Sequence, residues 1–290
     1  MMDQFPETRV IILNYNGAEL LPKCLPSIME AARKTGFTRV TVLDNCSTDN
    51  GLDYVTANFP DCQIERAPSN RLLCSYNDYV PKVKEPVVIL LNNDIRVHRD
   101  FIEPLLTHFI RDPLTFLVAP RVMTFDGKTI ESGRSKAKIR FGLFECTAHY
   151  LGYEKEALQS SETFSSGFGA FSREKFIALK GYDDLYLPGI MEDVDFCYRA
   201  QKEGYRLYYE PQSIVCHIGQ VSFKKRFGSF KIAVLAHRNS FLFMWKNFSG
   251  PKFWIPHLFF LPLRLSFALL KGNLALALGF LNALIPKRKR

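Results

Sequence analysis

The stretch "PVVILLNND", residues 86–94, decides the fold. Its apolar run is short, opens on valines and stops abruptly at two asparagines and an aspartate. That is the pattern of a strand buried on both faces that runs out into a loop. Two earlier stretches repeat it, "RVIILNYN" (9–16) and "RVTVLDN" (39–45). Between them, residues 20–33 space Leu21, Leu25, Ile28 and Met29 at helical intervals. The turn-rich "DNCSTDNG" (44–51) suits a helix cap, and predicts a helix over 50–58 followed by a short strand over 62–66. Residues 72–83 read as one further helix. Strand and helix alternating up to a fourth strand imply an α/β fold with a mostly parallel sheet covered by helices on both faces.

Such sheets bind ligands outside the carboxyl ends of their strands. There this sequence places Asn14, Asn16, Asp44, Asn45, Asn92, Asn93 and Asp94. Any one of them could simply cap a helix, but three strand ends deliver Asn/Asp clusters to one edge. Neither GxGxxG nor GxxxxGK[ST] occurs, so the common dinucleotide and P-loop phosphate cradles are excluded.

Charge is distributed unevenly. Of 38 Lys/Arg residues, 13 fall in residues 211–290, where there is no Asp or Glu, so the net charge of +9 belongs to that segment. The segment is also rich in Phe and Leu. Basic and apolar character together point to a membrane surface, and no nucleic-acid motif accompanies the charge. The seven cysteines are scattered and form no CxxC pair, which argues against a disulfide framework or a structural zinc and for a reducing compartment. Residues 1–7 contain acids and a proline and do not read as a secretory leader.

Beyond residue 121 the pattern becomes irregular, and residues 126–160 read as strands and loops closing over the first half. "SSGFGAFSREKF" (165–176) places small residues before a short helix. The long stretch from "GYDDLYLPGIMEDVDFCYRA" (181–200) to "HIGQVS" (217–222) predicts a turn, a helix over 193–203, a strand over 205–209 and a polar tail holding His217. Glu192, Asp193 and Asp195 crowd the start of that helix. Asp195 has Arg199 four residues on, which favours a structural ion pair at an acid-tolerant helix terminus. Asp94, the Glu192/Asp193 group and His217 could share a divalent cation, with phosphate oxygens completing its shell and a nearby carboxylate acting as general base. A lone histidine is more often a packed or hydrogen-bonded side chain than a ligand, so spacing alone leaves the metal open.

"VIILNYNG", "VTVLDNCSTDNG", "VVILLNNDI", "SSGFGAFSREKF" and the 181–219 segment, in this order, resemble family 2 glycosyltransferases, and the bacterial rhamnosyltransferase-like members in particular. The resemblance runs from about residue 9 to 247 and includes "HRNSFLFMWKNF" (237–248). It implies a GT-A fold, a single Rossmann-like sheet, and inverting transfer of a sugar from a UDP- or dTDP-sugar donor. On the same resemblance, Asn14, Tyr15, Asn16, Asp44, Asn70, Asn92, Asn93 and Asp94 would form the donor site. Asp94 and His217 would hold Mg2+ or Mn2+, and Gly167 and Glu192 would border the acceptor. Asp193, with Glu192 beside it, would be catalytic, taking the proton of the acceptor hydroxyl. Two positions depart from the pattern. The DxD motif reads Asn92-Asn93-Asp94, which leaves Asp94 as its acid, and in "NRLLCSYND" (70–78) Leu72 stands where relatives often carry glycine.

The resemblance divides the chain into a catalytic domain, residues 1–225, with nucleotide-binding and acceptor-binding parts meeting near 125, and a basic, apolar helical extension, residues 226–290. In the extension the longest uncharged run, residues 272–286, is shorter than the roughly 20 residues of a spanning helix, and Pro256 and Pro262 interrupt the run before it. Helices lying on the inner face of the cell membrane are therefore expected, with a true span or a buried hairpin as alternatives. The expected partners are the nucleotide sugar, a glycan or lipid-linked acceptor and the membrane surface. A catalytically silent carbohydrate- or nucleotide-binding protein, or a transferase acting on polyprenyl phosphate, are the rival readings.

Overall fold

The computed structural model describes residues 5–147, 156–219 and 227–285. The first half follows the expected order: β1 (Thr8–Asn14), α1 (Leu21–Thr35), β2 (Thr38–Asp44), α2 (Gly51–Asn58), β3 (Gln63–Arg66), the short α3 (Tyr76–Tyr79) and β4 (Val87–Asn92). β1 pairs in parallel with β2 on one side and β4 on the other, and β3 continues in parallel beyond β2. All seven residues of β1 are buried, so both its faces are covered. Val10 and Ile12 pack with Leu21, Leu25 and Ile28 of α1 on one face, while Ile11 and Leu13 join Val88, Leu90 and Phe171 on the other. This alternation is the two-residue period of a strand.

Residues 72–83 do not form the single expected helix. A 3-10 turn at Leu72–Ser75, α3 and a second 3-10 turn at Val80–Lys82 follow one another. Pro81 lacks the amide proton that would continue an α-helix. Tyr76 is drawn into the core, where its hydroxyl donates to Leu91 O at 2.8 Å.

The second half contributes β5 (Ile95–Val97), α4 (Ile102–Arg111), β6 (Thr115–Thr124), β7 (Ile130–Ser132), the hairpin β8 (Lys136–Arg140) and β9 (Leu143–Thr147), β10 (Ser161–Glu162), β11 (Gly169–Ser172), α5 (Arg173–Ala178), α6 (Glu192–Lys202) and β12 (Arg206–His217). The main sheet runs β10-β12-β6-β11-β4-β1-β2-β3, with β5 against β12 and β7 against β6. β11 is antiparallel to both neighbours, with Gly169 opposite Leu90 and Ser172 opposite Val87. It therefore enters the sheet at the carboxyl end of β4, which delivers residues 165–168 to the ligand edge. β12 is much longer than the strand expected over 205–209. It passes an irregularity between Glu210 and Ile214, then pairs with β5, so His217 lies in a strand opposite Ile95 and not in a polar tail.

Within the 126–160 segment, residues 148–155 lie outside the described residues. The β8–β9 hairpin closes through Phe141 and Gly142, both at positive φ (51° and 67°), the geometry that matches strand twist. Gly142 is required there twice over, since a Cβ would stand 2.4 Å from the His257 backbone.

Three helices end the described chain: α7 (Ser229–Asn247), α8 (Pro251–Leu270) and α9 (Leu274–Leu284). They share a third apolar cluster with the hairpin and α6, built on Phe144, Tyr186, Val194, Phe241, Phe243, Met244 and Phe253. Burying each such side chain is worth about 1.5–3 kcal/mol. α8 continues unbroken through Pro256 and Pro262, contrary to expectation. Each proline removes one backbone bond, and packing of Phe253, His257 and Ala268 holds the helix across the gaps. Residues 220–226 and the basic cluster at 287–290 lie outside the described residues.

Candidate active site

A cavity of about 410 Å3 opens at the carboxyl edge of the sheet. Tyr15, Asn92, Asn93, Asp94, Gly167, Glu192, Asp193 and His217 all line it. One space thus gathers a loop after β1, the end of β4, the chain entering β11, the start of α6 and the end of β12.

The other expected donor residues lie beneath or beside this space. Asn14 is fully buried; its Nδ2 donates to Asp44 Oδ1 and Ser47 Oγ at 3.2 Å each, and its Oδ1 accepts from Asn93 Nδ2 at 2.8 Å. It stitches three strand ends together. Gly17 makes room for this stitch, because a Cβ there would fall 2.0 Å from Asn14 Oδ1. Asp44 Oδ2 accepts from Ser47 N at 3.1 Å, and exposed Asn16 accepts from Thr48 N at 2.8 Å. Asn70 accepts from Leu72 N at 3.3 Å. Leu72 itself lines the cavity at φ 53°, so the backbone keeps the left-handed conformation that glycine favours while the side chain narrows the space.

At the cavity floor, Asp94 Oδ2 lies 3.4 Å from His217 Nε2, and His217 Nδ1 lies 3.4 Å from Glu131 Oε1. Burial pulls the imidazole pKa down, but Asp94 and then Glu131 outweigh it and raise it above the ordinary value. Asp94 Oδ1 is buried with no hydrogen bond. Among the described residues no three His, Cys, Asp or Glu side chains converge as a complete metal site. The bare Asp94 oxygen and the adjacent His217 could supply one side of a divalent cation's shell, with phosphate oxygens needed for the rest.

The opposite wall is the first turn of α6. Burial, then the charge of Asp193, pushes Glu192 up to about 8, and its Oε2 is buried without a hydrogen bond. Burial also raises Asp193. Asp193 makes no ion pair among the described residues, and a Cβ built on Gly167 would stand 3.4 Å from its Oδ2. Asp195 is different. It is fully buried and bonded to Arg199 Nε at 2.8 Å, as expected, and also to Lys246 Nζ at 2.8 and 2.9 Å, Asn247 Nδ2 at 2.8 Å and Tyr186 Oη at 2.8 Å. Burial raises its pKa, but the bonds from Lys246, Asn247 and Arg199 prevail and lower it.

The sequence model of glycosyl transferase family 2 matches residues 9–179. The chain belongs to that family. Among its relatives, this family 2 chain is 30% identical over 197 residues to the pre-mycofactocin glycosyltransferase of Mycobacterium tuberculosis, covering 62% of this chain and 37% of that protein. It thus spans well under half the length of the curated relatives it matches. Its fold matches that of GalNAc-T7 solved with UDP, GalNAc and Mn2+ (TM-score 0.62, 18% identity, 81% of this chain and 48% of that one). It also matches the mannosyltransferase PcManGT of Pyrobaculum calidifontis solved with GDP-Man and Mn2+ (TM-score 0.57, 16% identity, 97% and 74%). The fold is the expected GT-A arrangement with a C-terminal helical extension.

Several residues of this site escape sequence reasoning. Leu73, Phe168 and Ile190 line the cavity, and Glu131 reaches it from β7 through His217. Asn239, Lys246 and Asn247 carried a signal: Lys246 and Asn247 stand seven and eight residues after Asn239, so the three polar side chains fall toward one side of the helix.

Proposed function

We propose that the chain is an inverting glycosyltransferase that moves a sugar from a nucleotide-diphosphate donor to a hydroxyl of a glycan or lipid-linked saccharide. The observation that carries this reading is the single cavity whose walls hold an unpaired carboxylate, Asp193, and a bare carboxylate oxygen beside an imidazole, Asp94 with His217. Tyr15, Asn92 and Asn93 line the same space, and two neighbouring folds were solved with nucleotides, which supports a donor on that side.

In this scheme Asp193 takes the proton of the acceptor hydroxyl as its oxygen bonds to the anomeric carbon. The bond from that carbon to the diphosphate breaks, and the diphosphate leaves with the electron pair. Attack and departure occupy opposite faces, so configuration inverts and no enzyme nucleophile is needed. Asp94 and His217 would hold Mg2+ or Mn2+, which when bound offsets the charge gathering on the leaving diphosphate. Glu192, pushed up to about 8 by burial and then by the charge of Asp193, would offer a hydroxyl proton to the acceptor side when protonated. Asp195, neutralised by two cations, is structural.

The exposed apolar face of α8 and α9 supports docking on a bilayer, which suits an acceptor on a lipid carrier. Ile255, Phe259, Leu263, Phe267 and Leu270 are 57–86% exposed, and the hairpin tip at Phe141 lies 5.0 Å from Phe260. α8 is long and apolar enough to cross a membrane, but Arg264 and Lys271 at its side and end suit an interfacial position at the inner face of the cell membrane.

A screen of UDP-, dTDP- and GDP-sugars for thermal stabilisation, with and without Mn2+, tests the reading. A Mn2+-dependent rise in Tm with one donor class supports it, and no rise with any donor counts against it.

A further inference from the structure

The turn that presents Asp193 is held from outside the residues that line the cavity. Gly189, Ile190 and Met191 have φ of 123°, 74° and 78°. A β-branched residue in the left-handed region is costly and persists only where its surroundings fix it. The fixing group is Asn239, fully buried in α7. Its Nδ2 donates to the carbonyls of Tyr186, Gly189 and Ile190 at 2.7, 2.7 and 2.8 Å, and its Oδ1 accepts from Arg238 Nη1 at 2.7 Å. One amide thus gathers three carbonyls that no helix or strand would aim at a single point. Two turns along the same helix, Lys246 and Asn247 seize Asp195. Glu192 and Asp193 lie between these two grips.

We infer that Asn239, with Lys246 as its second anchor, is the positioning residue for Asp193, setting the direction from which that carboxylate faces the cavity without itself touching substrate. The inference rests on Asp193 being the base of a glycosyl transfer. If the turn relaxes toward ordinary φ values, the first residues of α6 swing, and a displacement of about 1 Å at a reacting group costs on the order of 10²-fold in rate. Nucleotide binding depends on the strand ends across the cavity, which α7 does not grip, so it is spared.

The test uses the full chain with UDP-glucose, UDP-GlcNAc, dTDP-rhamnose and GDP-mannose in Mn2+, following release of the nucleoside diphosphate, and measures affinity for the matching free nucleotide by calorimetry. N239D keeps the size of the side chain but cannot donate to the three carbonyls. Its kcat is expected to fall about 10²-fold, with donor KM and nucleotide affinity within about twofold of the parent. Adding I190G, which takes the left-handed conformation without steric cost, is expected to recover about tenfold. A kcat within about threefold of the parent, a matching loss of nucleotide affinity, or no recovery in the double variant overturns the inference. If N239D does not fold, K246M leaves Asn239 in place and decides by the same split between kcat and affinity. No nucleoside diphosphate release by the unaltered protein from any donor overturns the transferase reading and this inference with it. Release by the unaltered protein, matched by N239D, overturns the inference alone.

Discussion

Asp94 and His217 meet at 3.4 Å because β5, the three residues after Asp94, pairs with the end of β12. The pairing leaves Asp94 Oδ1 buried and without a hydrogen bond. An unsatisfied buried polar atom costs about 1–3 kcal/mol, a cost that a bound cation removes. Retention of such an atom in the floor of a cavity is the mark of a site built for something else to complete.

Replacing Asp94 with asparagine is therefore expected to abolish the Mn2+-dependent part of nucleotide binding while leaving the fold intact. At a ligand concentration 100 times Kd, native-state binding adds about 2.7 kcal/mol of stability. In D94N the UDP-induced rise in Tm becomes the same with and without Mn2+. A rise that still depends on Mn2+ would move the cation elsewhere.

Asp193 and Asp195 are two residues apart, and their variants separate chemistry from structure. D193N is expected to lose about 10²- to 10⁴-fold in turnover, the usual worth of a positioned base, with no fall in Tm. D195N leaves Lys246 and Arg199 facing a neutral amide in a buried position, and is expected to destabilise by about 3–5 kcal/mol. Urea unfolding beside single-turnover kinetics distinguishes them; the reverse pattern would exchange their roles.

Glu192 links the site to pH. Burial and the charge of Asp193 raise it from 4.5 to about 8 in the folded chain. Between those values the unfolded chain has released a proton that the folded chain retains. The unfolded state then binds fewer protons, and stability falls as pH rises through the window. E192Q carries no such proton, so its Tm should exceed that of the parent by a margin that grows from pH 4.5 to pH 8. Parallel Tm curves for the two proteins would remove the shift.

The α8–α9 face predicts binding to anionic vesicles. Each apolar side chain taken from water is worth about 1.5–3 kcal/mol, so F259S/L263S should cut vesicle partitioning by on the order of 10²-fold or more. Cosedimentation with phosphatidylglycerol vesicles measures this. Equal sedimentation of parent and variant would assign the face to another partner.

The parallel half of the sheet was legible because its strands are buried on both faces and announce themselves as unbroken apolar runs. The helix over 192–202 and its Asp195–Arg199 pair were legible from local spacing alone. What escaped depends on distant pairing. His217 belongs to a strand because β5 on one side and the end of β6 on the other are there to meet it, and a run that starts as "GYRLYY" gives no local sign of continuing past a proline. Residues 72–83 misled because Tyr76, Tyr79 and Val80 have helical spacing, while Pro81 and the pull of Tyr76 into the core break the helix. Asn14 and Asp44 were placed at the right edge, but their side chains bind each other. Tyr15, expected in the site, faces the cavity with Asn45.

The grip of α7 on the 186–195 turn also has a consequence in time. Synthesis delivers β1 to β12 before Asn239, Lys246 and Asn247 exist, so a nascent chain can complete its sheet and strand-end edge while Ile190 and Met191 still lack the partners that hold them left-handed. Competence for chemistry then arrives late, with the same segment that leads directly into the apolar helices. A chain still being made carries the strand-end wall of its cavity before the opposite wall is set.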